Sequence, residues 1–197
     1  MSLLRLQVYL DSRIFPMCDS LLLYFSPVLV LFGFALIGGL FYVGVFVLLP
    51  FKSAQWKWVH LVAASFMIVN LFSRYILAVF TDPGTIPDSS AYKLLILQRA
   101  EHLDVDLENT TAGPLAWNKC KRTGVMRPPR ARYCQILKTN VMNYDHYCPW
   151  IFNAVGYQNL RHFVVFLFWV WLSTMYGALF SIDIFFSTWG HNATESR

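Results

Sequence analysis

The chain has 197 residues, of which 56% are apolar, 17% aromatic and only 14% charged. Soluble domains carry about 25% charged residues, so this composition excludes an ordinary soluble protein and predicts a protein of the lipid bilayer. The net charge of +5 does not indicate a nucleic-acid-binding protein, because the positive charge is concentrated in one segment. Seven Lys and Arg residues lie between positions 119 and 138, with no acidic residue among them.

Three apolar stretches are long enough to cross a bilayer. Residues 21–50 carry no charge and exceed the roughly 20 residues that a transmembrane helix requires. Residues 58–80 form the second stretch, in which Arg74 lies close enough to one end for its side chain to reach the headgroups. Residues 163–189 form the third. The fold class is therefore predicted as a mainly α membrane protein, with three transmembrane helices and an irregular cytosolic segment between the second and the third.

The distribution of positive charge along the chain predicts how the protein is oriented in the membrane. Residues 81–162 hold ten of the sixteen basic residues, so the positive-inside rule assigns this segment and residues 1–20 to the cytosol, and the tail of residues 190–197 to the lumen. Within the cytosolic segment, residues 91–107 repeat apolar side chains at helical spacing and predict an amphipathic helix. Residues 117–157 lack either periodicity, which predicts loops and short strands.

The basic cluster of residues 119–138 is interpreted from its position between two spans. It is expected to contact anionic lipid headgroups or a phosphate-bearing ligand rather than nucleic acid. The alternative is a solvated basic loop that only determines the membrane topology.

One short motif combines three groups with nucleophilic chemistry. Cys148 reacts as its thiolate, and a free thiol with a pKa of about 8.5 needs a neighbouring base or positive charge at neutral pH. His146 supplies either, and Asp145 can hold the second nitrogen of that imidazole. Adjacent residues of an extended strand point to opposite faces, so this arrangement requires a turn at Tyr147 or Pro149. The motif therefore predicts a nucleophile, a base and an orienting carboxylate.

Four motifs, in order along the chain, carry a resemblance to the DHHC family of protein S-acyltransferases. Thr81–Gly84 resembles the family's DPG motif, and Arg127–Arg132 resembles its basic, proline-containing lead-in. Asp145–Trp150 resembles the signature in its DHYC variant, and Asn153–Asn159 resembles the NxVGxxN stretch that follows. The resemblance covers roughly residues 20 to 190.

The resemblance implies a ping-pong protein S-palmitoyltransferase. Cys148 would take the acyl group from an acyl-coenzyme A and pass it to juxtamembrane cysteines of membrane-associated proteins, with His146 as base and Asp145 orienting it. The acyl chain would lie in a cavity among the spans, in contact with membrane lipid, in a Golgi or endoplasmic reticulum membrane. Acyl-coenzyme A is a substrate here, and no bound cofactor is expected. Three arginines are assigned to the coenzyme A phosphates: Arg127, Arg130 and Arg132.

The sequence departs from the family at its two zinc sites, each of which has three Cys and one His. At the first site only Cys120 remains, and at the second only Cys134. The other positions hold Thr123, Tyr133 and Asn140 in the first site and Leu137, Tyr147 and Ala154 in the second. One thiolate cannot hold a tetrahedral structural zinc, so no zinc is expected. An apolar core is predicted to replace the metal.

A second departure concerns the fourth span of the family. The sequence stops seven residues after Gly190, which fits either a shortened chain or a three-span protein. The alternative function is therefore a catalytically weak DHHC-like scaffold that binds membrane partners. The retained Asp145, His146 and Cys148 favour the transferase, whereas the lost zinc ligands and fourth span favour the scaffold.

Overall fold

The computed structural model describes residues 15–87, Gln98 and residues 117–195. The predicted amphipathic helix of residues 91–107 lies outside the described residues, Gln98 excepted. The chain divides into two compact units. One unit contains the described residues of Met1–Val30 and Val79–Arg161, and the other contains those of Leu31–Ala78 and His162–Arg197.

Three long helices dominate the structure. Helix α1 spans Phe15–Tyr42 and continues as a π-helical turn, Val43–Leu48, and a 3-10 turn, Leu49–Phe51. Helix α2 spans Ala54–Phe80, and helix α3 spans Leu160–Glu195. All three are long and apolar enough to cross a membrane, because each has at least 27 residues, whereas roughly 20 suffice. The prediction of a mainly helical membrane protein with three spans is confirmed. The helices start earlier than the sequence indicated, and α3 continues into the stretch expected to be a tail.

Aromatic rings hold the helical unit together. The Tyr75 ring lies 4.7 Å from Phe34 and stacks on Phe166 at 4.9 Å between centroids, within the range in which aromatic pairs attract. A Cβ atom added to Gly33 would collide with the Tyr75 hydroxyl, so glycine at this position lets α1 approach the ring. Phe66 meets Trp169 edge-on at 5.6 Å. These contacts join all three helices within this unit.

The other unit is built from very short strands. Strands β1 (Thr85–Ile86), β5 (Thr139–Val141) and β4 (Arg132–Cys134) form an antiparallel sheet in that order. Strands β2 (Asn118–Lys119) and β3 (Met126–Arg127) form a hairpin. The expected loops and short strands are therefore present in this segment.

A second ribbon carries the signature motif. Strand β6 (Tyr147–Cys148) pairs antiparallel with β7 (Asn153–Ala154), and a 3-10 turn of Pro149–Ile151 connects them. Proline at the first position of this turn has its ring-fixed φ already suited to helical geometry. The turn at Pro149 that the sequence required is therefore present.

The loop after β7 is locked by close backbone contacts. Gly156 lies so near the Pro83 carbonyl and the Val141 side chain that a Cβ atom would collide with both. Asn159 is fully buried, accepts from the Gly156 N–H at 2.8 Å and donates to the Ala154 carbonyl at 2.7 Å. The NxVGxxN stretch thus fixes β7 against the DPG turn.

Candidate active site

Backbone pairing defines the path of the signature segment. The Asp145 N–H donates to the Val155 carbonyl at 3.0 Å, and the Val155 N–H donates to the His146 carbonyl at 2.8 Å. The pairing continues through Tyr147 opposite Ala154. Asp145 and His146 therefore both lie opposite Val155, which is a β-bulge, whereas Tyr147 and Cys148 form the regular strand.

The predicted base and its orienting carboxylate are in contact. His146 Nδ1 lies 3.2 Å from Asp145 Oδ2, and 46% of the His146 side chain and 64% of the Asp145 side chain are exposed. A carboxylate on Nδ1 fixes the tautomer that leaves Nε2 free of its proton and stabilises the imidazolium. The pair is thus arranged to accept a proton at Nε2 at a solvent-accessible position.

The predicted nucleophile is buried, with only 7% of Cys148 exposed. Burial raises the pKa of the Cys148 thiol, and the backbone N–H groups of Trp150 and Ile151 oppose this shift by stabilising the thiolate. These two N–H groups belong to the 3-10 turn that starts after Cys148. The turn therefore supplies hydrogen-bond donors at the place where negative charge forms on sulfur.

One polar residue outside the signature fixes this segment to the end of α2, and a second organises the turn that follows the helix. Asn153 Nδ2 donates to the Val79 and Thr81 carbonyls at 3.2 and 2.9 Å, and thereby caps the last turn of the helix. Asp82 accepts from the Gly84 and Thr85 N–H groups at 2.7 and 2.8 Å. Burial raises the pKa of the Asp82 carboxyl, but these hydrogen bonds outweigh burial and leave it below the ordinary value.

The four positions of the first lost zinc site lie together and form a polar cluster. Asn140 Nδ2 donates to Thr123 Oγ1 at 2.8 Å, and Tyr133 pairs with Asn140 across β4 and β5. Burial raises the pKa of the Cys120 thiol, whereas hydrogen bonds from Thr123 and Arg122 and the nearby positive charge of Arg127 lower it. The lowering is the larger effect, so the pKa of Cys120 lies below that of an ordinary thiol. The expectation of an apolar core is therefore wrong at this site, because a hydrogen bond joins two of the substituted positions.

The second lost site is apolar, as the sequence predicted. Cys134 and Ala154 belong to one buried cluster with Val141, and Leu137 and Tyr147 pack against it. Burial and the neighbouring Cys134 thiol raise the pKa of Tyr144, which also packs here, to about 12.

Neither donor set fits a structural zinc ion. Each offers one thiol and no imidazole, whereas structural zinc takes four N or S ligands. Among the residues that the structure describes, no group of three or more His, Cys, Asp or Glu side chains is placed to bind a metal.

The three arginines assigned to phosphate binding lie on successive elements. Arg127 is in β3, Arg132 is in β4, and Arg130 lies between them in a left-handed conformation with φ of 65°. Arg130 and Arg132 are exposed, while the Nε of Arg127 is buried without a hydrogen-bond partner. These positions leave two guanidinium groups accessible to an anionic ligand.

The helical unit contains a separate apolar cavity of about 420 Å³. Side chains of all three helices and the π-helical turn line it. Its polar groups include His60, whose Nδ1 lies 2.6 Å from the Tyr176 hydroxyl, and Ser173, whose buried hydroxyl has no hydrogen-bond partner. Volume and lining are typical of a site for an apolar ligand.

Sequence reasoning missed Ser26 and the individual role of Asn153. The Tyr147 hydroxyl donates to Ser26 Oγ at 3.2 Å, although the two residues are 121 positions apart. No local pattern marked Ser26, and Asn153 was noted only as part of a motif.

Comparison with known proteins identifies the class. Residues 115–196 match the family model described as DHHC palmitoyltransferase. The chain therefore carries a domain of the DHHC palmitoyltransferase family, and the resemblance recognised in its motifs is confirmed.

Several curated relatives agree with this assignment. The chain is 31% identical over 132 residues to palmitoyltransferase ZDHHC7 of Mus musculus, a match that covers 67% of this chain and 40% of that protein. It is 30% identical over 110 residues to probable protein S-acyltransferase 12 of Arabidopsis thaliana, covering 56% of this chain and 37% of the relative. The chain thus spans about two fifths of the length of these relatives.

Proposed function

We propose that the protein is a protein S-acyltransferase that carries a palmitoyl group as a thioester on Cys148. The observation that supports this most directly is the 3.2 Å contact of His146 Nδ1 with Asp145 Oδ2, two residues before Cys148. The DHHC domain and the names of the relatives, protein S-acyltransferase and palmitoyltransferase, support this proposal.

Two thioester exchanges account for the reaction. His146 accepts the Cys148 proton, and the thiolate attacks the thioester carbonyl of an acyl-coenzyme A. The carbon–sulfur bond to coenzyme A breaks, and the departing thiolate takes the proton back from His146. A cysteine thiolate of a membrane-associated protein then attacks the acyl-Cys148 carbonyl and releases the Cys148 thiolate.

The donor and acceptor are assigned by their chemistry. Of the three assigned arginines, Arg130 and Arg132 present exposed guanidinium groups to the phosphates of coenzyme A, and Arg127 lies beside them in β3. Planar guanidinium suits phosphate oxygens. An acyl chain is an apolar ligand of the kind that the cavity of the helical unit would accept. The acceptors are juxtamembrane cysteines of cytosolic or membrane proteins, and no nucleic acid takes part.

The protein works without zinc in this proposal, because each of the two sites offers one thiol and no imidazole. We also assign residues 81–162 to the cytosol and the protein to a Golgi or endoplasmic reticulum membrane. Protease accessibility in sealed vesicles tests the orientation, and organelle fractionation tests the compartment.

The burial of Cys148 favours a second candidate, a catalytically weak DHHC-like protein that binds membrane partners. A buried thiol with a raised pKa forms less thiolate at neutral pH. This candidate predicts partner binding that does not depend on Cys148.

Acyl-enzyme formation separates the two candidates. Purified chain in detergent is incubated with labelled palmitoyl-coenzyme A, and the label released by neutral hydroxylamine is measured. The transferase predicts a label that is absent in Cys148→Ser, slower in His146→Ala and retained in Cys18→Ser, which leaves the proposed nucleophile intact. Equal labelling of the unaltered chain and Cys148→Ser would refute the transferase and leave the scaffold.

A further inference from the structure

The hydrogen bond between Tyr147 and Ser26 connects the signature segment to the first helix. Tyr147 lies between His146 and Cys148, and its hydroxyl reaches Ser26 Oγ at 3.2 Å. Ser26 is fully buried and donates its own proton to the Leu22 carbonyl one turn earlier in α1. Because that proton is already used, Ser26 accepts and Tyr147 donates, so both hydroxyl groups are satisfied.

The Tyr147 ring has a second contact. It packs against the apolar cluster that contains Cys134 and Ala154, at a position where the resemblance implies a zinc ligand. His146 and Cys148 are the two chain neighbours of Tyr147, and both are tied to the facing segment, His146 through Val155 and Cys148 opposite Asn153. Fixing one phenol therefore fixes the two flanking reactive groups.

We propose that Tyr147 is a positioning residue, whose hydroxyl holds residues 145–148 on Ser26 of α1 and so aligns His146 with Cys148. This inference rests on the proposed acyl transfer through Cys148. The ring anchors the segment in the apolar cluster, and the hydroxyl determines its distance from α1. At a position where the resemblance implies a zinc ligand, packing of the Tyr147 ring and the hydrogen bond of its hydroxyl thus hold the segment in place of a bond to metal.

The test compares Tyr147→Phe, Ser26→Ala and the double variant in purified full chain. Phe keeps the ring in the apolar cluster and removes only the hydroxyl. Each single variant loses one hydrogen bond that aligns the reacting groups. We therefore expect its acylation rate at saturating palmitoyl-coenzyme A to be about fivefold lower than that of the unaltered chain. The palmitoyl-coenzyme A concentration that gives half of the maximal rate should not change. The double variant loses no more than either single variant, because both remove the same interaction.

Two matched controls keep this contact intact. Ser73→Ala removes a serine of α2 that likewise donates to a carbonyl of its own helix, that of Asn70. Tyr24→Phe removes an exposed hydroxyl two residues before Ser26. Both are expected to acylate at the unaltered rate.

A second readout does not require acyl transfer. The rate of iodoacetamide alkylation at Cys148 is followed against pH by mass spectrometry of its peptide. Loss of alignment with His146 and with the N–H groups of the following turn raises the midpoint pH by about half a unit in both single variants. This shift supports the positioning role even if the chain proves to transfer no acyl group.

Three results would overturn the proposal. The first is an unchanged alkylation profile in Ser26→Ala. The second is a loss in Tyr147→Phe that Ser26→Ala does not share, and the third is losses that multiply in the double variant. If Tyr147→Phe fails to fold, Ser26→Ala alone decides the question.

Discussion

Cys148 lies directly opposite Asn153 in the β6–β7 ribbon. Asn153 in turn donates two hydrogen bonds to the carbonyls of Val79 and Thr81 at the end of α2. The strand that carries the proposed nucleophile is thereby fixed to a helix end through its partner strand. Helix-terminal carbonyls need such donors because they have no partner within the helix.

Replacing Asn153 by alanine should destabilise the protein and slow acylation. Two carbonyls lose their donor, and about 1 kcal/mol for each hydrogen bond predicts a loss of about 2 kcal/mol in the free energy of unfolding. Thermal unfolding and the single-turnover acylation rate measure the two effects. Asn70→Ala is the matched control, since Asn70 donates to a carbonyl of its own helix at an exposed position. An unaltered rate in Asn153→Ala would contradict the role given to this residue.

Gly156→Ala should prevent normal folding of the unit that contains the ribbon. The added methyl group would collide with the Pro83 backbone and Val141, and backbone cannot move aside as a flexible side chain can. We expect loss of a cooperative melting transition or of soluble expression in detergent. Gly38→Ala, where a Cβ atom meets nothing within 4 Å, should be neutral or slightly stabilising because alanine favours helix. If Gly156→Ala melted at the same temperature as Gly38→Ala, the close approach of Gly156 to Pro83 and Val141 would be contradicted.

Asp82→Asn should destabilise the protein at neutral pH but not in acid. Its hydrogen bonds hold the pKa of the Asp82 carboxyl below its ordinary value. A group with a lowered folded-state pKa stabilises the protein above its unfolded-state pKa, and this contribution is lost as pH falls through the folded-state pKa. The difference in melting temperature between Asp82→Asn and the unaltered chain should therefore shrink below about pH 4. A constant difference from pH 7 to acid would argue against the carboxylate as its source.

The acylation rate should rise with pH through the neutral range. Burial raises the pKa of Cys148 above that of an ordinary thiol, so below this pKa the thiolate fraction increases about tenfold for each pH unit. Single-turnover labelling between about pH 6 and 8 measures this, with spontaneous hydrolysis of the donor subtracted. A flat profile would indicate a thiolate already formed at pH 6.

Chelation of metal should leave the melting temperature unchanged, whereas Thr123→Val should lower it. The valine removes the acceptor of the Asn140 amide, which is 99% buried. An unsatisfied buried donor costs about 1–3 kcal/mol. Thr174→Val, at an exposed hydroxyl that bonds to its own helix, serves as the control. Elemental analysis that finds about two zinc ions per chain would contradict the metal-free proposal.

The sequence alone determined the three helices and the residues of the signature. Bilayer crossing depends on the length and polarity of a continuous stretch, which can be read directly from the chain. The pairing of Asp145 with His146 was predicted from the chemistry of the two groups, although neighbours in a regular strand would point to opposite faces. The loss of zinc ligands was equally readable, because it depends on residue identity at positions marked by the resemblance.

Only the tertiary structure decided how the substituted positions interact. The sequence predicted apolar packing at both former zinc sites, yet Thr123 and Asn140 form a hydrogen bond that depends on the placement of the β2–β3 hairpin beside β5. The contacts of Tyr147 with Ser26 and of Asn153 with the end of α2 join residues 121 and 72–74 positions apart. Such long-range contacts depend on strand register and turn geometry. A local pattern of polar and apolar residues determines neither the register nor the turn.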